Sequence, residues 1–112
     1  MKIAIPLAAG RLCLHFGHCE AFYLAEVDPL AGSIIASRLA TPPAHAPGVL
    51  PEWLAGEGVN VVIAGGMGAR AQQLFAHAGI EVVTGAAPER PEALVQGYLG
   101  GTLLTGENVC DH

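Results

Sequence analysis

Seven consecutive residues hold the densest chemistry in the chain. Cys13-Leu14-His15-Phe16-Gly17-His18-Cys19 places two thiols and two imidazoles around one glycine. Thiolate and imidazole match soft and borderline metals, so Cys13, His15, His18 and Cys19 are candidate ligands for zinc, copper(I) or iron–sulfur species. The spacing C-x-H-x2-H-C is not that of a zinc finger, where two close pairs are joined by a long segment. One short loop seldom wraps four ligands around a single tetrahedral ion. It is better suited to offering two or three ligands to one side of a larger cluster. The two cysteines would also serve as small buried hydrophobes, with His15 or His18 bonded to loop backbone, and the residues alone leave that reading open. A second thiol–imidazole pair, Cys110 and His112, stands in the last three residues, where chain ends commonly fray. His45 and His77 read as exposed and idle.

A second constellation is Gly65-Gly66-Met67-Gly68-Ala69-Arg70. It follows an apolar run and opens a helical pattern, so its bare backbone N–H groups suit an anion, and Arg70 adds positive charge in the first turn. Gly65, Gly66, Gly68 and Arg70 are therefore candidate contacts for a phosphate, a carboxylate or an anionic metal–sulfur cluster. The alternative is a tight strand–helix turn that needs positive φ. The spacing is not that of a dinucleotide fingerprint, and the lysine of a phosphate-binding P-loop is missing.

The elements that must position these residues are readable from their periods. Lys2–Pro6 is a short buried strand ended by proline, and residues 7–20 form a loop of 14 residues, long enough to suggest function. Ala21–Val27 and Ser33–Ala40 flank the turn Asp28–Gly32 as a hairpin. Val49–Glu57 is a short amphipathic helix with Gly58 as its stop. Asn60–Ala64 is a central strand covered on both faces. Met67, Ala71, Leu74, Phe75 and Ala78 line one helical face, Ile80–Thr84 is a further strand, and Pro88 or Pro91 opens a last helix. The order implies a three-layer α/β domain over residues 1–101, with a tail at 102–112. Its sheet is expected to be five-stranded and mixed, in the order 3-2-1-4-5 with strand 2 antiparallel, an RNase H-like arrangement.

Composition limits the alternatives. At 112 residues the chain is one domain, and area scaling buries about 65% of its surface. Hydrophobic residues make up 52% and charged residues 13%, the reverse of a disordered chain. Five scattered basic residues against ten acidic ones give no basic patch for nucleic acid. No run approaches the length of a membrane span, and three cysteines, an odd number, point to a reducing, cytoplasmic setting. An RNase H-like sheet raises a nuclease reading, but two-metal chemistry needs converging carboxylates, and neither Lys2–Pro6 nor Asn60–Ala64 carries one. A Cys19–His pair as a catalytic dyad lacks an orienting carboxylate.

The blocks K-I-A-I-P, H-F-G-H-C-E-A-F at 15–22, G-V-N-V-V-I-A-G-G-M-G-A-R-A at 58–71 and A-G-I-E-V-V-T-G-A at 78–86 together resemble the nitrogenase iron–molybdenum cofactor biosynthesis family. The group in question is NifX/NifY-like and is similar also to the C-terminal domain of NifB. The resemblance implies an RNase H-like fold and a non-enzymatic protein that binds, carries or stores an iron–sulfur or iron–molybdenum type cluster, working with cluster assembly or acceptor proteins. It implies His15 as the cluster-contacting residue, with Gly65, Gly66 and Gly68 as the cradle facing it. Two departures, His18 where relatives often have arginine and the added thiol of Cys13, increase the metal-binding character. A mononuclear zinc or copper protein and a metal-free interaction domain are the alternatives.

Overall fold

The computed structural model describes residues 1–14, 16, 19–44, 46 and 48–106. In chain order the elements are β1 (Lys2–Ala8), β2 (Arg11–Leu12), β3 (Ala21–Asp28), β4 (Ser33–Ala40), α1 (Val49–Gly56), β5 (Val61–Ile63), α2 (Ala69–His77), β6 (Glu81–Val83) and α3 (Pro91–Gly100). They form one mixed sheet of six strands. Its main path runs β4-β3-β1-β5-β6, and β2 pairs with β1 off that path. β3 is antiparallel to both β1 and β4, whereas β5 is parallel to β1 and to β6.

The sheet separates two cores, and strand alternation decides which residue joins which. Ile3, Ile5 and Leu7 of β1 point to one face, where they join Tyr23, Ala25, Val27, Val61, Ile63 and, from α3, Leu94 and Val95. Ala4 points to the other, with Phe22, Leu24 and Val62, under Leu50 and Leu54 of α1 and Phe75 of α2. The result is a three-layer α/β domain with α3 on one face and the other two helices opposite. Each buried Leu, Ile or Phe side chain in these layers contributes about 1.5–3 kcal/mol.

Two sequence expectations need correction, and one choice left open by the sequence is settled. The sheet has six strands, not five, because Arg11 and Leu12 turn back onto β1 inside the expected 14-residue loop, pairing Ala8 with Arg11 and Leu7 with Leu12. Proline does not end β1, which continues through Pro6 to Ala8. Pro6 lacks an N–H but keeps its carbonyl, which accepts from the Cys13 N–H at 2.8 Å. Of the two prolines, Pro91 stands at the start of the last helix, after an extended Arg90, and Gly101 closes it with φ 74°.

Beyond α3 the chain folds back on the domain. Thr102 and Leu103 both donate to the Gly97 carbonyl, at 2.8 and 3.1 Å, and Leu103 packs against the α3-side core. Thr105 then forms an antiparallel bridge with Ala86.

Candidate functional site

The site is built from two backbone segments that leave neighbouring parallel strands at their carboxyl ends. The first begins at the end of β1. Ala9 and Gly10, with φ of 55° and 78°, make the two-residue turn into β2, a conformation that twisted hairpins favour. Leu12 donates to the Glu89 carbonyl at 3.0 Å, and Cys13 follows beside Pro6. The chain returns to the opposite side of β1, where Glu20 donates to the Leu7 carbonyl at 2.8 Å. The Glu20 carboxylate accepts the Ala9 N–H at 3.0 Å and so braces the turn. Cys13 and Cys19 therefore stand on opposite sides of the end of β1.

Phe16, between the two cysteines in sequence, is anchored in the core. Its ring is buried and packs edge-on against Phe22 and Phe75, with centroids 5.9 and 5.5 Å away, and Phe22 in turn meets Trp53 at 5.4 Å. Its N–H donates to the Gly66 carbonyl at 3.1 Å. This bond ties the first segment to the second, the turn between β5 and α2.

The glycines of that turn play different parts, and none of them has positive φ. At Gly65 an added Cβ would lie 3.0 Å from Leu12 Cδ2 and 3.1 Å from Leu14 Cα, so glycine is needed there for close approach of the two segments. Gly66, also buried, supplies the carbonyl for Phe16. Gly68 is the extended residue before α2, and a Cβ on it would meet nothing within 4 Å. Helix geometry leaves the N–H groups of Ala69, Arg70 and Ala71 without intrahelical partners above that open space. The first turn of α2 contains no acidic residue and no side-chain cap. It carries instead the exposed Arg70.

Cys13 is buried and Cys19 is half-buried against the α1/α2-side core. Burial pushes the Cys19 thiol up to about 11, and the nearby Cys13 opposes its ionisation further. Both thiols thus bear on one region above the end of β1, and Cys19 keeps its proton at neutral pH until something displaces it. His15, His18, Cys110 and His112 lie outside the described residues, as does His45. His77 is exposed at the end of α2, as its position in the pattern suggests. Among the described residues no group of three His, Cys, Asp or Glu side chains converges. Sequence reasoning missed β2, the strained Ala9 and the brace from Glu20. Only the Ala9-Gly10 dipeptide gave a local signal for that hairpin.

Comparison with known proteins agrees with this architecture. The family described as dinitrogenase iron-molybdenum cofactor matches residues 1–101. An uncharacterized protein of Methanocaldococcus jannaschii, MJ0580, is 35% identical over 85 residues, covering 73% of this chain and 72% of that protein. The crystal structure of PH0822 superposes with a TM-score of 0.87 at 26% identity, covering 96% of each chain. The apo form of the orange protein from Desulfovibrio gigas gives a TM-score of 0.72 at 24% identity, over 96% of this chain and 93% of that one, a likeness of fold.

Proposed function

The chain belongs to the dinitrogenase iron-molybdenum cofactor family, and from that premise we propose that it is a non-enzymatic carrier of an anionic metal–sulfur cluster of the iron–sulfur or iron–molybdenum type. The observation that supports the reading is the bond from Phe16 N–H to Gly66 O, which seats Phe16 against the β5–α2 turn. In α/β sheets ligands collect at the carboxyl ends of the strands, which is where these segments meet. The donor set fits such cargo. Thiol and imidazole groups at Cys13, His15, His18 and Cys19 would ligate the cluster's metals. The backbone N–H groups after Gly68, with Arg70, would stabilise its negative charge, and Gly65 and Gly66 would hold the two walls together.

The tail belongs to the same proposal. Gly85 donates to the Gly65 carbonyl and Gly106 donates to the Gly85 carbonyl, each at 2.7 Å. Gly106 thus stands two backbone spacings, about 10 Å, from the β5–α2 turn. Four further residues span up to about 14 Å, so chain length permits Cys110 and His112 to serve as ligands. The RNase H-like classification, the cytoplasmic setting and delivery to assembly or acceptor proteins complete the reading. No helix among the described residues is long and apolar enough to cross a membrane.

Anaerobic reconstitution with iron, molybdate and sulfide tests it. The expected product is a coloured protein with iron and acid-labile sulfide in constant proportion. A colourless protein that takes up no supplied cluster overturns the proposal, and so does equimolar zinc or copper without sulfide.

A further inference from the structure

The β1–β3 ladder stops just short of Cys19, and its last pair is Leu7 with Ala21. Val27 donates to the Met1 carbonyl at 2.8 Å, and bonded pairs recur at every second residue of an antiparallel ladder. In the same register Ala9 and Cys19 would be the next pair to exchange bonds after Leu7 and Ala21. Strand alternation would then turn the Cys19 thiol to the α3 face, with Tyr23, Ala25 and Val27. Cys19 instead packs on the opposite core, with Phe16, Phe22 and Met67. That is the face covered by α1 and α2, and Met67 belongs to the β5–α2 turn.

Glu20 makes the reversal with both of its ends. Its N–H goes to the Leu7 carbonyl at 2.8 Å, so Glu20 and Ala21 both stand against Leu7. Two residues against one is the count of a β-bulge, a device that ends pairing and re-aims a side chain. Its carboxylate takes the Ala9 N–H at 3.0 Å, the donor that a longer ladder would give to the Cys19 carbonyl. A side-chain oxygen thus stands in for a main-chain one, and Cys19 is released from the strand.

We propose that Glu20 is the positioning residue of the candidate site: by capping Ala9 it ends the β1–β3 ladder before Cys19 and turns that thiol to the face of the β5–α2 turn. The use of the thiol as a cluster ligand rests on the carrier reading, whereas its placement by Glu20 does not. The role needs an acceptor oxygen and no charge. Beside an anionic cargo a carboxylate charge is a cost, and glutamine offers the same reach with a carbonyl oxygen.

Glu20→Ala and Glu20→Gln in the full chain test this. In cluster-free Glu20→Ala the Ala9 amide should exchange about tenfold faster, having lost its acceptor. Iodoacetamide should alkylate Cys19 about tenfold faster at fixed pH, as the thiol leaves the core, with the circular dichroism spectrum unchanged. Glu20→Gln should stay near the wild type in both measurements. After reconstitution with iron, molybdate and sulfide, Glu20→Ala should lose its cluster faster and Glu20→Gln should hold it at least as long as the wild type. Wild-type alkylation and exchange in Glu20→Ala overturn the proposal, and so does a Glu20→Gln chain that behaves as Glu20→Ala. A wild type that takes up no cluster overturns the carrier reading alone, and alkylation and exchange still decide the role of Glu20.

Discussion

Phe16 links the loop chemistry to the core, because one residue supplies both the buried ring against Phe22 and Phe75 and the N–H bonded to Gly66. Phe16→Ala is expected to cost about 3–5 kcal/mol in urea unfolding, as large-to-small changes at buried aromatics do, and to abolish cluster retention by releasing the loop. Cys19 gives a pH signature. Its thiol is raised from 9.0 to about 11, chiefly by burial and then by Cys13, so the folded chain holds this proton where the unfolded chain has lost it. The resulting stability is fully present below pH 9 and is lost as pH rises through about 11. In cluster-free protein, alkylation of Cys19 should therefore still be accelerating well above pH 9, and Cys13→Ser should move its midpoint down. An alkylation profile that levels off near the ordinary thiol value of 9.0 would contradict that environment. Ala9 is strained at φ 55°, and Ala9→Gly is expected to raise the melting midpoint, since a left-handed residue with a Cβ costs about 1–2 kcal/mol against a smaller entropic cost for glycine.

At the scale of elements, periodicity identified what packing would later use. Phe75 announced the buried side of α2 and Val61–Ile63 the central strand, because a run covered on both faces and a face repeating every three to four residues leave local marks. β2 left no such mark. Two residues cannot show a period, and Arg11–Leu12 is a strand only because β1 offers an edge at Leu7 and Ala8, beyond the last residues it pairs with β5. Pro6 misled in the same way, since its effect depends on which side of β1 needs an N–H. The reason for Gly65 was also hidden, because close approach to Leu12 and Leu14 is a tertiary fact and no backbone angle demands it. Gly85 makes the element-scale prediction. It has φ 83°, and a Cβ there would overlap the Gly106 carbonyl. Gly85→Ala should therefore lower stability by more than the 1–2 kcal/mol of a left-handed alanine, and hydrogen exchange at Gly106 should speed up as its bond to Gly85 is lost.

For the whole molecule the question is how much of the chain the proposed carrier role needs. The family match stops at residue 101, yet Leu103, Thr105 and Gly106 pack on the domain and lead toward the site. Two truncations separate support from ligation. A chain cut after Gly106 keeps the strap and removes Cys110 and His112. It should melt with the full chain and retain less cluster after gel filtration. A chain cut after Gly101 also loses the burial of Leu103 and the bridge to Ala86. It should keep its strands and helices but unfold about 1–3 kcal/mol more easily. If the chain cut after Gly106 holds as much cluster as the full chain, the tail supplies no ligand, and the metal contacts reduce to the Cys13–Cys19 loop. If the chain cut after Gly101 melts with the full chain, the strap is decoration and the domain is complete where the family match ends.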